Sequence, residues 1–179
     1  MSPSSVLAFW FEEISPAAWW EKSADFDRQV RERFADVHRA CAAGESWAWR
    51  ETPQGRLAEI IVLDQFSRNM FRDKPASFAA DSLALVLAQE AVRAKAYEAL
   101  NADQQAFLFM PYMHSESLRV HEEAVRLFGL PGLESNLDFE HRHKAIIERF
   151  GRYPHRNAIL GRESTPEELA FLKQPGSSF

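Results

Sequence analysis

Three polar segments of this chain interrupt or follow apolar sequence, and their residue types suit acid–base and anion chemistry. The first, Asp64-Gln65-Phe66-Ser67-Arg68-Asn69, directly follows Ile60-Ile61-Val62-Leu63. The second is His114-Ser115-Glu116, and the third is Arg152-Tyr153-Pro154-His155-Arg156-Asn157. Asp64 lies four residues ahead of Arg68, the favourable acid-first order on a helix. A carboxylate drawn into the interior by the preceding apolar run would need such a partner. Guanidinium forks bind oxyanions in a bidentate way, and from residue 140 to 163 six Lys/Arg stand against three acids in a chain of net charge -5. Asp64, His114 and Glu116 are therefore the candidates for general acid–base work. Arg68, Asn69, Arg152, His155, Arg156 and Asn157 are the candidates for holding an anionic metabolite or peptide. The same groups can instead form an internal lock, with Arg152 or Arg156 paired to Asp64, Glu116 or Glu163.

Other chemistries find less support. His141 and His143 are two apart and point to different faces of a helix, and no His-Glu-x-x-His pattern occurs, so no metal is expected. His121 and His143 fall on apolar stripes, where a hydrogen-bonded core histidine is the usual case. Ser67 and Ser115 lack a Gly-x-Ser-x-Gly setting. Cys41 sits on the apolar stripe of its helix, which suggests an inert thiol. Seven glycines, none clustered, leave no Walker or dinucleotide loop, and no cofactor is expected.

The elements that must position these groups read as helices. Ile60 to Leu63 cover a whole helical circumference, so the helix carrying Asp64 should be buried on most sides. Thr52-Pro53 opens it by a cap followed by proline at the first helical position, and it should run to about Met70. Before it, residues 4 to 13 form a short apolar helix, and Ser15-Pro16 reads as a cap followed by proline at the first helical position, leading into Trp19 and Trp20. Phe26, Val30, Phe34, Val37 and Cys41 then mark an amphipathic helix ended by Gly44. After it, Asp81 or Ser82 caps a second buried helix through Leu83 to Ala88. Asp103 to Met110 gives a shorter helix stopped by Pro111, and Ser115 caps another through Phe128. Further helices cover 137–150 and, after Thr165-Pro166-Glu167-Glu168, the C-terminal stretch. Pro175-Gly-Ser-Ser should fray. No run alternates as a strand would. The expected fold is all-α, about eight helices with short links in a single domain spanning 1–179.

Composition narrows the function classes. Hydrophobic residues make up 46% of the chain, as in a globular protein, and the acidic balance argues against nucleic acid. One cysteine excludes an internal disulfide and fits a reducing compartment. There is no basic leader and no stretch long enough to span a membrane. A soluble cytoplasmic protein is the expectation. All five tryptophans lie in the N-terminal third, as an aromatic core plug or, alternatively, the interface of a homodimer.

Several motifs together resemble a large bacterial family labelled as a domain of unknown function, DUF924. They are Phe9-Trp10-Phe11, Leu63 to Asn69 with Phe71-Arg72, Phe78-Ala79-Ala80-Asp81, Pro111 to Glu116, Phe150 to Asn157 and Gly161 to Glu168. The match spans nearly the whole chain. Ser67 departs mildly, since the family often has proline there. The resemblance implies antiparallel helix pairs similar to tetratricopeptide repeats, and it implies no activity. Two functions follow as expectations: a module binding an anionic small molecule or peptide, or a small hydrolase or lyase using Asp64, His114 or Glu116 with arginine clamps.

Overall fold

The computed structural model describes residues 1–178, and the described residues form helices and turns without strands. The α-helices are α1 Pro3–Ala8, α2 Ala24–Ala42, α3 Pro53–Ile61, α4 Ser67–Met70, α5 Asp81–Arg93, α6 Ala102–Met113, α7 Leu118–Phe128, α8 Glu134–Phe150 and α9 Pro166–Phe171. A π-helical turn, Val62–Phe66, joins α3 to α4, so residues 53–70 make one continuous rod. Counted that way, eight α-helical rods span the described residues.

The rod is the centre of the packing. Leu57, Ile60, Ile61, Val62, Leu63 and Phe66 are all fully buried. α1, α5 and α6 pack on α3, and α2 packs on the π turn and α4. A helix apolar on every side has no other stable place, because each face loses its contact with water only against another helix. Further along, α5 packs on α6, α6 on α7 and α7 on α8. Short links between packed neighbours make each a helical hairpin.

Local signals explain most termini. The Thr52 side chain accepts from the Gly55 amide at the start of α3. Thr165 and Glu168 complete a capping box on α9. Pro111, however, does not stop α6, which runs on to Met113 with Pro111 buried inside it. Burial of Phe107, Leu108, Phe109, Met110, Tyr112 and Met113 against the core outweighs the one backbone hydrogen bond that proline forfeits. Ser115 does not cap α7, which starts at Leu118, and its Oγ instead accepts from the Ser117 amide. Asp81 is the first residue of α5 rather than its cap. α8 begins at Glu134 rather than Leu137. The Pro175–Ser178 tail is tied down, with Ser177 buried and its hydroxyl donating to Leu172 O.

The tryptophans divide. Trp10 is buried edge-on against Phe66 and Phe107, and Trp19 donates from Nε1 to Trp10 O. Trp20 and Trp47 remain 62% and 67% exposed. The plug is therefore Trp10 and Trp19 with phenylalanines from α2, α6 and the rod, not all five indoles.

Candidate functional site

The π turn decides what Asp64 meets. Such a turn adds a residue to the helical circuit, and it recurs at functional sites. Asp64 is 1% exposed. Its Oδ1 accepts from His114 Nδ1 at 2.8 Å and its Oδ2 from Gln65 Nε2 at 2.7 Å. Arg68 Nη1 lies 3.2 Å from Oδ1 and donates to the Asp64 carbonyl at 2.8 Å. Burial alone would raise the Asp64 carboxyl, but Arg68 and His114 outweigh it and hold it far below the usual carboxylate range. Asp64 is therefore an anion, and it can only accept. That makes Nδ1 of His114 the protonated nitrogen. Burial, reinforced by Arg68, pushes the His114 pKa down against the pull of Asp64. At neutral pH the imidazole is neutral and Nε2 carries the lone pair.

A second carboxylate extends the cluster. Asp81, at the start of α5, accepts from Arg68 Nη1 and Nη2 at 3.1 and 3.2 Å and from Arg156 Nη1 at 3.3 Å. Arg156 is 6% exposed and lies between two rings, 4.6 Å from the Phe78 centroid and 4.7 Å from that of Tyr153. Stacked guanidinium of this kind gains cation–π attraction where water is excluded.

The turn holding His114 is itself fixed. Tyr153 Oη donates to Met113 O at 2.5 Å, and His121 Nε2 donates to Ser115 O at 2.8 Å. The fully buried His121 leans in turn on the fully buried Glu140, 2.6 Å from Nδ1. His121 and His143 are thus core histidines with partners, His143 bonding Phe139 O at 2.8 Å.

Two cavities meet at this cluster. The smaller, about 330 Å³, is walled by Asp81, Arg156, Glu116, His114 and Phe78 among others. The larger, about 640 Å³, has a polar part made by Gln65, Arg68, Asn69, His114, His143 and His155. Trp19, Trp20, Phe139, Met110 and Met113 supply its apolar part, and Ser178 also lines it. Burial pushes His143 down to about 3, and burial with Arg156 pushes His155 down to about 4. Both imidazoles face the cavity uncharged at neutral pH.

Of the residues picked out in the sequence, Asp64, Arg68, His114 and Arg156 come together through Asp81, and Asn69 and His155 line the larger cavity. Asn69 is also committed to Asp27, which Arg72 grips at 2.5 and 2.7 Å. Glu116 reaches the smaller cavity but is clamped by Arg162 at 2.6 and 2.9 Å and by the Tyr153 amide, and these hold its carboxyl below the usual range against burial. Arg152 and Asn157 do not line either cavity. Both bond Glu168 and so tie the chain after α8 to the start of α9. Asp81 and Arg162 escaped the sequence reading as site residues. The only signal was their place in the Phe-Ala-x-Asp and Gly-Arg motifs of the resemblance. Trp19 and Trp20 were legible only as part of an aromatic plug or a dimer interface, and His143 only as a core histidine. Cys41 is buried beside Ser46, and burial raises its thiol to about 11. Among the described residues, no three His, Cys, Asp or Glu side chains converge as metal ligands, and no helix is long and apolar enough to cross a membrane.

A solved structure of a protein of unknown function, ATU0120 from Agrobacterium tumefaciens, is similar to this chain over 96% of each, with 37% identity and a TM-score of 0.91. No curated protein matches the chain significantly. The profile of a bacterial protein family of unknown function, DUF924, matches residues 6–176, and the chain belongs to that family.

Proposed function

We propose that this protein binds a small amphipathic anion, an aromatic or otherwise apolar body carrying a carboxylate, in the larger cavity. One observation carries the reading: a single 640 Å³ space is bounded both by exposed aromatic rings and by the Arg68 guanidinium. That volume falls in the range of small-ligand pockets. Trp20 stacks on Phe107 with an interplanar angle of 13° and stays 62% exposed, so one indole face is available to a flat ligand. Cations slightly outnumber acids along the wall, with Lys22, Arg68 and Arg72 against Glu21 and Asp73. A guanidinium has five N–H donors, and Arg68 spends three hydrogen bonds on the protein.

Titration with 4-hydroxybenzoate, followed by tryptophan fluorescence and calorimetry, tests this. Saturable binding is expected, weakened about ten-fold by Trp20→Ala, on the order of 1.4 kcal/mol. Trp20 is exposed, so its loss should leave the melting temperature nearly unchanged. No saturation, or equal affinity in Trp20→Ala, overturns the proposal. A second reading, a hydrolase or lyase working by acid–base chemistry, draws support from the Asp64–His114 pair at the wall of the same cavity.

A further inference from the structure

We propose that the larger cavity is catalytic: His114, oriented by Asp64, acts as general base for the attack of water on the acyl carbon of an anionic aryl ester. This rests on the cavity taking an amphipathic anion and goes beyond it in assigning a reaction. The first support is geometric. With Nδ1–H given to Asp64, the basic nitrogen is Nε2. Among the described residues the ring's hydrogen bond is the one from Nδ1, and His114 borders both cavities. The bonds from Tyr153 to Met113 O and from His121 to Ser115 O hold the turn, so the ring is presented rather than free to swing.

The second support concerns the nucleophile. No hydroxyl or thiol of the described residues is hydrogen-bonded to His114. The neighbouring Ser115 Oγ is turned to the Ser117 amide, and the Cys41 thiol is buried against Ser46. Water is therefore the group that His114 can activate. Nε2 takes one proton from the water as the water oxygen bonds to the acyl carbon, and the carbonyl π pair moves onto its oxygen. Collapse re-forms the carbonyl and breaks the bond to the phenolic oxygen, which takes the proton back from Nε2–H. The products are a phenol and a carboxylic acid, and His114 and Asp64 end unchanged.

The leaving group follows from what else the site holds. Asp64 and Glu116 are both kept ionised by arginines, so neither is a proton donor for a poor leaving group. A phenol needs little protonation to depart, whereas an amine does, which places aryl esters ahead of amides. Arg68 touches Asp64 and acts here as a positioning residue.

4-Acetoxybenzoate is the probe, with release of 4-hydroxybenzoate read by absorbance. Hydrolysis by the wild-type protein should exceed the buffer rate and saturate. His114→Asn retains a side-chain N–H for Asp64 and should lose about a hundred-fold in kcat. The wild-type rate should rise with pH to a plateau through one ionisation below 6.5. The groups facing His114 are Asp64, Arg68 and Asp81, with His143 and His155 across the cavity. Removing the charge in Arg68→Gln should move that inflection upward, a change a purely structural role would not produce. Binding of 4-hydroxybenzoate without ester hydrolysis overturns the catalytic proposal and leaves the binding reading standing. Undiminished hydrolysis in folded His114→Asn overturns the role of His114. Failure of both binding and hydrolysis removes both readings together.

Discussion

Glu59 poses the same physical problem as Asp64 and solves it without bordering either cavity. Its side chain is fully buried on α3, and Arg50, in the 3-10 turn before the helix, donates to both carboxylate oxygens at 2.7 and 2.8 Å. Removing one partner of a buried pair strands the other charge, which costs more than the pair itself contributes. Arg50→Ala should destabilise the protein by about 3 kcal/mol, read as a lower urea midpoint. Arg28→Ala, which breaks the exposed pair with Asp25, should cost under about 0.5 kcal/mol. Equal effects would mean that burial of Glu59 is not what sets the cost. Pairs of this kind were only partly legible in the sequence. Asp64 with Arg68 could be read from i,i+4 spacing, because helical geometry alone brings them close. Arg156 with Asp81 spans 75 residues, and Arg162 with Glu116 spans 46. No local rule links such positions, so the sequence pointed to the right arginine-rich segment and to Glu116 as a possible partner, but not to Asp81 or to which arginine meets which acid. Arg152 shows the converse: its residue type invited an anion, and Glu168 sixteen residues on supplies it internally.

At the scale of the element, the rod of residues 53–70 shows which features are locally encoded. Thr52-Pro53 and Thr165-Pro166 act within one turn, and both helices start where those pairs place them. The π turn at Val62–Phe66 left no such mark. In a run that is apolar all round, inserting one residue into the helical circuit exchanges one buried face for another, and periodicity cannot register it. Gly55 is a further case in which tertiary contact overrides propensity. Alanine in a helix is worth roughly 1 kcal/mol over glycine, so Gly55→Ala would stabilise an isolated α3. Here a Cβ would stand 1.8 Å from the Trp49 carbonyl oxygen and 2.7 Å from its carbon, both backbone atoms. The 3-10 turn Trp47–Glu51 would have to move off the helix, and Arg50 with it. Gly55→Ala should therefore destabilise by about 2 kcal/mol, as overpacking does. A raised melting temperature would show that the turn yields freely.

For the molecule as a whole, the imidazoles around the cavity couple folding to proton uptake. His114, His143 and His155 come from different stretches of chain, and all three have folded pKa values below the ordinary 6.5. A histidine depressed on folding binds fewer protons folded than unfolded at any pH between the two values. Stability is therefore lost as pH falls below 6.5, and the loss continues down to about 4 for His155 and about 3 for His143. Asp64 acts in the same sense at lower pH, since its lowered carboxyl pKa contributes stability that disappears as acid protonates it. Each depressed imidazole adds a slope of about 1.4 kcal/mol per pH unit while it remains neutral in the folded state and charged in the unfolded one. Urea unfolding at a series of pH values should show stability flat from pH 8 to 7 and falling steeply between about 6 and 4. His143→Asn, which removes one titrating group, should make that fall shallower by about 1.4 kcal/mol per pH unit even if it lowers stability at pH 7. An unchanged slope would mean that His143 already carries its proton in the folded protein. The direction follows first from burial, which disfavours the charged form of all three rings, and repulsion from Arg68 at His114 and from Arg156 and Arg68 at His155 adds to it. An anion bound among them would offset that repulsion, so ligand should shift the acid midpoint downward as well as raise the melting temperature at neutral pH.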